Sequence, residues 1–377
     1  MSTPAGRSRL LVITPDYPPD YGGIPILVSR LVQNFDRFDP TVVAFARQGD
    51  TEFDRSTGVA ASRVPVSRIP KVPNLALNAR GIREALALKP RVVLAAHIIA
   101  GPAARTIRRL TGTPYVLYLH ADELWRARLL GGGVRHAAAS IAVSRYTRRI
   151  ALDAGGDPER VLRIPPGVDI PDGSRAVRAD RPTIVTLARL TDRYKGHDVM
   201  MRALPLIRRA VPDVIWVIVG QGPLRAELEE SAASEGVRDS VIFTGALPDE
   251  ERDAWLDRAH VFAMPSRLPP RGFGGEGFGI VYLEAGAHGL PVVAGNVAGA
   301  LDAVDDGVTG VLVEPTDPAA VAAAISDLLL DRRRAERLGS SGRTRAREMT
   351  WPKTAARVEE VLVRVARREP VLGLNTA

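Results

Sequence analysis

Short apolar runs alternate with stretches whose apolar residues recur at helical spacing, and the alternation occurs twice along the chain. In the first half, Leu10–Thr14, Thr41–Phe45, Val92–Ala96, Tyr115–His120, Ile141–Ser144 and Val161–Ile164 read as strands. Helical patterns at Ile24–Phe35 and Arg145–Ala154 follow strands closely, as βαβ units require. The second half repeats the plan with strands at Thr183–Ala188, Val214–Val219, Val241–Thr244, Val261–Met264, Pro291–Ala294 and Val311–Val313. Its helices are expected at Gly196–Ala210, Leu224–Glu235, Asp249–Arg258, Phe278–His288 and Pro318–Leu330. This succession predicts the α/β class, with two Rossmann-like domains built on parallel sheets. The periodic pattern breaks at Pro165-Pro166-Gly167-Val168-Asp169 and stays broken to about Asp180, which marks the join. The expected domains are residues 1–170 and 171–350, with a helix over 351–370 crossing back to the first. Ligands of open α/β sheets bind at the carboxyl ends of strands, so two facing units predict a cleft with functional residues just after strands.

Composition narrows the chemistry. The 377 residues include no cysteine, which removes disulfides, thiolate nucleophiles and zinc–sulfur sites from consideration. Nothing in Met1–Arg9 resembles a signal peptide, and no run approaches the roughly 20 apolar residues that span a bilayer. The expectation is a cytoplasmic protein, able to sit peripherally on the inner face of a membrane. The net charge of +8 is unevenly divided: residues 1–175 hold 25 Lys/Arg against 15 Asp/Glu, and the remainder 26 against 28. A basic first half suits an anionic partner such as a phospholipid surface. The basic residues are scattered without interleaved aromatics, which does not suit nucleic acid.

The most informative stretch is Gly275-Glu276-Gly277-Phe278-Gly279-Ile280-Val281-Tyr282-Leu283-Glu284-Ala285, which sets two carboxylates eight positions apart across a glycine-rich loop and a helix start. Glycines allow close backbone approach, and the N–H groups of a helix start attract phosphate oxygens. With a helix beginning near Phe278, Glu284 lies almost two turns inside it and Glu276 on the loop before it, so the pair would touch different parts of one elongated ligand. Glu284 sits among apolar neighbours, where a carboxylate needs hydrogen-bond donors. Arg189 and Lys195, after the first strand of the second half, could neutralise a diphosphate, doing a metal's work without one. His120 ends a strand and could donate to a developing charge; His97, also at a strand end, reads as bonded within its loop. Gly22-Gly23 precedes a helix and fits either a phosphate approach or a tight turn. Gly220-Gln221-Gly222 invites comparison with a dinucleotide fingerprint, but Arg225 stands where the third glycine belongs, which argues against a nicotinamide-dependent oxidoreductase.

Together these residues resemble the family-4 retaining glycosyltransferases of the GT-B architecture, over nearly the whole chain. The resemblance rests on the Glu276/Glu284 spacing, on Arg189 and Lys195 in Ala-Arg-Leu-x4-Lys-Gly, and on Ala263-Met264-Pro265-Ser266. It implies that Glu284 binds ribose hydroxyls, that Glu276 holds sugar hydroxyls, and that Arg189 and Lys195 hold the diphosphate of a nucleotide sugar. Backbone N–H groups around Phe278, Gly279 and Ile280 would add phosphate contacts. Gly22 and Gly23 would approach from the other domain, Gly220 would offer backbone contact to base or ribose, and His120 would lie near the anomeric carbon. No cofactor or metal is implied. The motif wording resembles bacterial mannosyltransferases of glycolipid assembly, which implies hexose transfer to an acceptor hydroxyl, on a lipid or, alternatively, on a soluble natural product or small sugar from another nucleotide donor. The chain departs from the family where many members have Gly-Gly-x-Pro-Glu, reading Ala298-Gly299-Ala300-Leu301-Asp302, and its loop Leu268–Gly275 is long.

Overall fold

The computed structural model describes residues 6–121, 127–172, 177–270 and 274–374. The chain divides into two compact units, Met1–Gly167 with Trp351–Ala377, and Val168–Thr350. The boundary falls inside the Pro165–Asp169 segment, three residues before the position expected from sequence. Where the chain leaves and re-enters the second unit its two strands of backbone meet: Val168 N–H donates to the Met349 carbonyl at 2.9 Å.

The first unit is built on strands β1 (Ser8–Ile13), β2 (Phe38–Phe45), β3 (Ala60–Val64), β4 (Val92–Ala95), β5 (Tyr115–Leu119), β6 (Ala139–Ala142) and β7 (Val161–Arg163). They pair in parallel in the order β3-β2-β1-β4-β5-β6-β7. The second unit holds β8 (Thr183–Leu187), β9 (Ile215–Val219), β10 (Val241–Gly245), β11 (Val261–Met264), β12 (Val292–Gly295) and β13 (Gly310–Val313). Their order is β10-β9-β8-β11-β12-β13, again parallel throughout. Inner strands such as Tyr115–Leu119 and Ile215–Val219 are buried at every position, because helices cover both faces of a parallel sheet. Each sheet reverses its winding direction once, between β1 and β4 and between β8 and β11. The loops after those strands diverge to opposite faces, which opens a crevice at each reversal.

Every strand expected from sequence is present within two or three residues at its ends. Strand β3 was not expected: it lies at the sheet edge, buries only Val64, and therefore lacks the apolar run that marks its neighbours. The helix Val72–Leu88 was also missed, since its apolar residues serve no single face and Gly81 interrupts the pattern. That glycine lets the helix pack onto Ile13, whose Cδ1 would lie 2.6 Å from an added Cβ.

The C-terminal helix Trp351–Ala366 belongs to the first unit, where it packs against the helix Gly23–Gln33 and strands β4 to β6. Its apolar positions Val358, Val361, Leu362 and Val365 are buried. Among them sits a carboxylate: Glu359, 4% exposed, accepts the Arg37 backbone N–H at 2.6 Å and the Arg37 Nε at 3.2 Å. Removing it would leave a buried amide without its partner. Glu359→Ala is expected to lower the unfolding free energy by about 2–3 kcal/mol, measured by urea denaturation; a loss indistinguishable from that of an exposed alanine substitution would contradict this anchoring role.

Candidate active site

Arg189, Lys195 and Glu276 lie on the loops that follow β8 and β11, the two strands at the second unit's winding reversal, with Glu284 on the helix beyond and Gly220 just after β9. After β8 the chain passes Arg189, turns through a short 3-10 segment at Arg193–Lys195, and enters the helix His197–Ala210 at Gly196. After β11 it passes Pro265 and Ser266 and reaches Glu276. The two loops are tied together. Lys195 Nζ donates to Glu276 Oε2 at 2.6 Å, with the two side chains only 15% and 12% exposed. Arg267 forks onto both Asp198 oxygens at 2.8 and 3.0 Å, and its backbone N–H donates to the Tyr194 carbonyl at 2.8 Å.

The helix of the motif starts at Ile280, two residues later than the sequence suggested, and runs to Ala287. Gly279 is the cause: its φ of +93° lies outside the helical region, and an added Cβ would come within 2.3 Å of the Tyr282 ring. Phe278 and Gly279 therefore belong to the approach loop, and only Ile280 of the three expected phosphate donors is helical. Glu284 lies just over one turn inside the helix rather than almost two. Tyr282 fixes the helix to the end of β11, its hydroxyl donating to the Met264 carbonyl at 2.8 Å and lying 3.3 Å from Ser266 Oγ. Burial, reinforced by the nearby Glu276 charge, pushes the Tyr282 hydroxyl pKa up, so it stays a neutral donor.

Glu284 is half-buried, and among the described residues no donor hydrogen-bonds its carboxylate. Burial raises its pKa above the usual carboxylate range; Arg252 acts in the opposite direction, while Asp253, Asp169 and Asp249 add to the rise. Arg252 itself is shared, since it hydrogen-bonds Asp249 at 2.7 Å and Asp253 at 2.8 Å. The result is a carboxylate poised for hydroxyl donors.

The segment that departs from the family pattern lies directly against the motif. Gly299 N–H donates to the Glu276 carbonyl at 3.0 Å, and a Cβ on Gly299 would sit 2.2 Å from the Gly277 carbonyl oxygen. Ala298 adopts φ +52°, a left-handed conformation that costs a residue with a Cβ about 1–2 kcal/mol. Part of the long loop before Glu276, residues 271–273, lies outside the described residues.

Other candidates are placed as follows. Arg189 is 54% exposed and lies 3.7 Å from Asp192, a contact loose enough to yield to a ligand. Gly220 packs against the loop that carries Arg189: an added Cβ would meet the Ala188 carbonyl oxygen at 1.9 Å. In the first unit, Gly22 has φ 142° and caps the helix Gly23–Gln33, so Gly23 is its first residue. His120 follows β5 and is buried, with Nε2 3.0 Å from the Ala96 carbonyl oxygen and its ring stacked on Tyr118. His97 caps the short 3-10 segment Ile98–Ala100, its Nδ1 accepting the Ile99 N–H at 3.1 Å.

Sequence reasoning missed three residues around this site. Arg267 and Arg252 were hidden because their partners Asp198 and Glu284 are remote in sequence. His197 follows the Lys-Gly pair and was read only as the start of a helix. It is buried and stacks on Trp216 at 6.3 Å between ring centres. Burial, with the neighbouring Lys195 charge, lowers its pKa to about 4, so at neutral pH it adds no cation to those of Arg189 and Lys195.

Comparison with known proteins agrees with this geometry. Residues 21–171 match the family model described as Glycosyltransferase Family 4, and residues 172–345 match Glycosyl transferases group 1. The chain is 37% identical over 374 residues to the GDP-mannose-dependent alpha-(1-6)-phosphatidylinositol monomannoside mannosyltransferase of Mycolicibacterium smegmatis, covering 94% of this chain and 98% of that one. It is 35% identical over 384 residues to the protein of the same description from Mycobacterium tuberculosis H37Rv, with 94% and 98% covered. Among solved structures, Anabaena HepE in complex with UDP and glucose superposes with a TM-score of 0.80 at 21% identity, over 95% of this chain and 100% of that one.

The raised pKa of Glu284 has a consequence for stability. Because ionising Glu284 is harder in the folded chain than in the unfolded one, the folded state loses stability as pH rises through the raised pKa. Glu284→Gln should therefore raise the melting temperature at alkaline pH, with an advantage that shrinks on acidification, while weakening nucleotide binding. A variant that is less stable than the parent at alkaline pH would contradict the assignment of Glu284 as a strained, ligand-seeking carboxylate.

Proposed function

The chain belongs to glycosyltransferase family 4, and on that footing we propose that it transfers mannose from GDP-mannose to a hydroxyl of a phosphatidylinositol mannoside, with retention at the anomeric carbon and without a metal. The observation that carries this reading is the Lys195–Glu276 pair at the β8/β11 reversal, beside the start of the helix Ile280–Ala287, in a chain 37% identical to a mannosyltransferase of that description.

In this reading the donor's diphosphate takes Lys195 from Glu276. Lys195 and Arg189 then neutralise the phosphates, the backbone around Phe278, Gly279 and Ile280 supplies N–H donors, and the freed Glu276 turns to the sugar hydroxyls. Glu284 accepts from the ribose hydroxyls and so gains the donors it lacks. The bond from the anomeric carbon to the β-phosphate oxygen breaks while the acceptor oxygen adds to the same face. The acceptor proton passes to the departing phosphate, so no side-chain base or nucleophile is required. We assign the acceptor to the first unit, and from that unit Gly22-Gly23 to a backbone approach to the donor phosphates and His120 to the neighbourhood of the anomeric carbon.

A lipid-borne acceptor accords with the surface of that unit. Val66, Ile69, Val72 and Leu75 are exposed apolar residues, interleaved with Arg68 and Lys71 after β3. Such a patch suits shallow contact with an anionic bilayer. Among the described residues no helix is long and apolar enough to cross a membrane.

The purified protein, supplied with radiolabelled GDP-mannose and a phosphatidylinositol monomannoside, should yield a labelled glycolipid whose new linkage is α. Lys195→Ala should cut transfer by roughly a hundredfold to a thousandfold without unfolding the protein, at a lowered melting temperature because Glu276 loses its partner. Turnover near the parent value in that variant, or transfer from UDP-glucose in preference to GDP-mannose, would overturn the proposal.

A further inference from the structure

The first unit carries a cavity on the other edge of its sheet from His120. A hollow of about 350 Å³ is lined by Arg105, Arg108, Arg109, Arg135, His136 and Arg160, with no carboxylate in its lining. The three contributing segments each lie just before a strand. The arginines at 105, 108 and 109 come from the helix Gly101–Thr111 ahead of β5, Arg135 and His136 from the turn ahead of β6, and Arg160 immediately precedes β7. In a parallel sheet these positions share the amino edge, whereas His97 and His120 follow the carboxyl ends of β4 and β5.

Carboxylates neutralise little of this cluster. Arg160 has Asp157 at 3.3 Å, but among the described residues Arg105, Arg108, Arg109 and Arg135 form no salt bridge. A favourable interaction with the helix carboxyl terminus accounts for Arg108 and Arg109 in its last turn. It does not account for Arg105 earlier in that helix, nor for Arg135 and Arg160 brought in from separate segments. Two contacts hold the ring in shape: Arg108 Nη1 donates to the His136 carbonyl, and His136 Nδ1 lies 3.1 Å from the Gly132 carbonyl oxygen. Like charges drawn together around a hollow repel one another until an anion enters. Guanidinium groups from several directions match the oxygens of a phosphate better than those of a single carboxylate.

We propose that this cavity is an anion-binding site for a phosphorylated ligand carrying at least two negative charges, separate from the site that binds the sugar nucleotide. Both a soluble phosphate compound and a lipid phosphate headgroup present that chemistry.

The test is calorimetric titration of inorganic pyrophosphate into the full chain with excess GDP present, so that a donor site, if GDP occupies it, is already filled; the cavity reports even if GDP does not bind. The parent should take up one equivalent. Arg105→Ala/Arg109→Ala, which removes a repulsive i,i+4 pair, should bind it roughly tenfold more weakly or worse. The matched pair Arg333→Ala/Arg337→Ala, exposed on a helix of the second unit, should bind like the parent. No uptake by the parent, or equal losses in the two double variants, would overturn the proposal. Sedimentation with phosphatidylglycerol vesicles distinguishes the sources. A lipid headgroup ligand predicts that Arg105→Ala/Arg109→Ala loosens vesicle binding and that pyrophosphate competes with it; a soluble ligand predicts vesicle binding unchanged by the same substitutions.

Discussion

Lys195 and Glu276 meet at 2.6 Å across the point where the second sheet changes its winding direction, and the rest of the candidate site is arranged around that contact. The reversal between β8 and β11 sends the following helices to opposite faces, so their loops part and leave polar groups facing a crevice. An ion pair this shielded is costly to desolvate, yet each charge holds the other in place, because losing either would strand its partner. It also keeps the lysine fixed beside the start of the helix Ile280–Ala287, so the cationic group is in place before a diphosphate arrives. The bidentate Arg267–Asp198 pair ties the same two loops together independently of the Lys195–Glu276 contact.

Such preorganisation is accompanied by local costs. Glu284 is held where burial and three neighbouring aspartates oppose its charge, and Ala298 occupies a backbone conformation better suited to glycine. Glu284 lies within the motif and Ala298 beside it, and both are strain kept near a functional site while the two sheets supply the stability elsewhere. Gly279 and Gly299 show the complementary device, since each permits a backbone approach that any side chain would block.

Much of this was legible in the sequence, for reasons that differ from residue to residue. Inner strands such as Tyr115–Leu119 and Ile215–Val219 are buried on both faces and so appear as unbroken apolar runs. Strand β3 is half solvated and leaves no such mark. Glu276, Glu284, Arg189 and Lys195 were picked out because their spacing sits on recognisable loops, yet spacing alone could not reveal that Lys195 already grips Glu276. The later helix start was equally hidden, because it depends on the positive φ of Gly279 and on the Tyr282 ring packed against it. Arg252, Arg267 and the arginine ring ahead of β5, β6 and β7 are assembled by folding from distant segments, and no local pattern announces them.

The account turns on whether the ligand exchanges with the ion pair, and a crystal structure of the chain with GDP would decide this most directly. The expected result is Lys195 Nζ within hydrogen-bond distance of a β-phosphate oxygen, with Glu276 released and the ribose hydroxyls on Glu284. GDP bound with the Lys195–Glu276 pair intact and Glu284 remote from the ribose would contradict it.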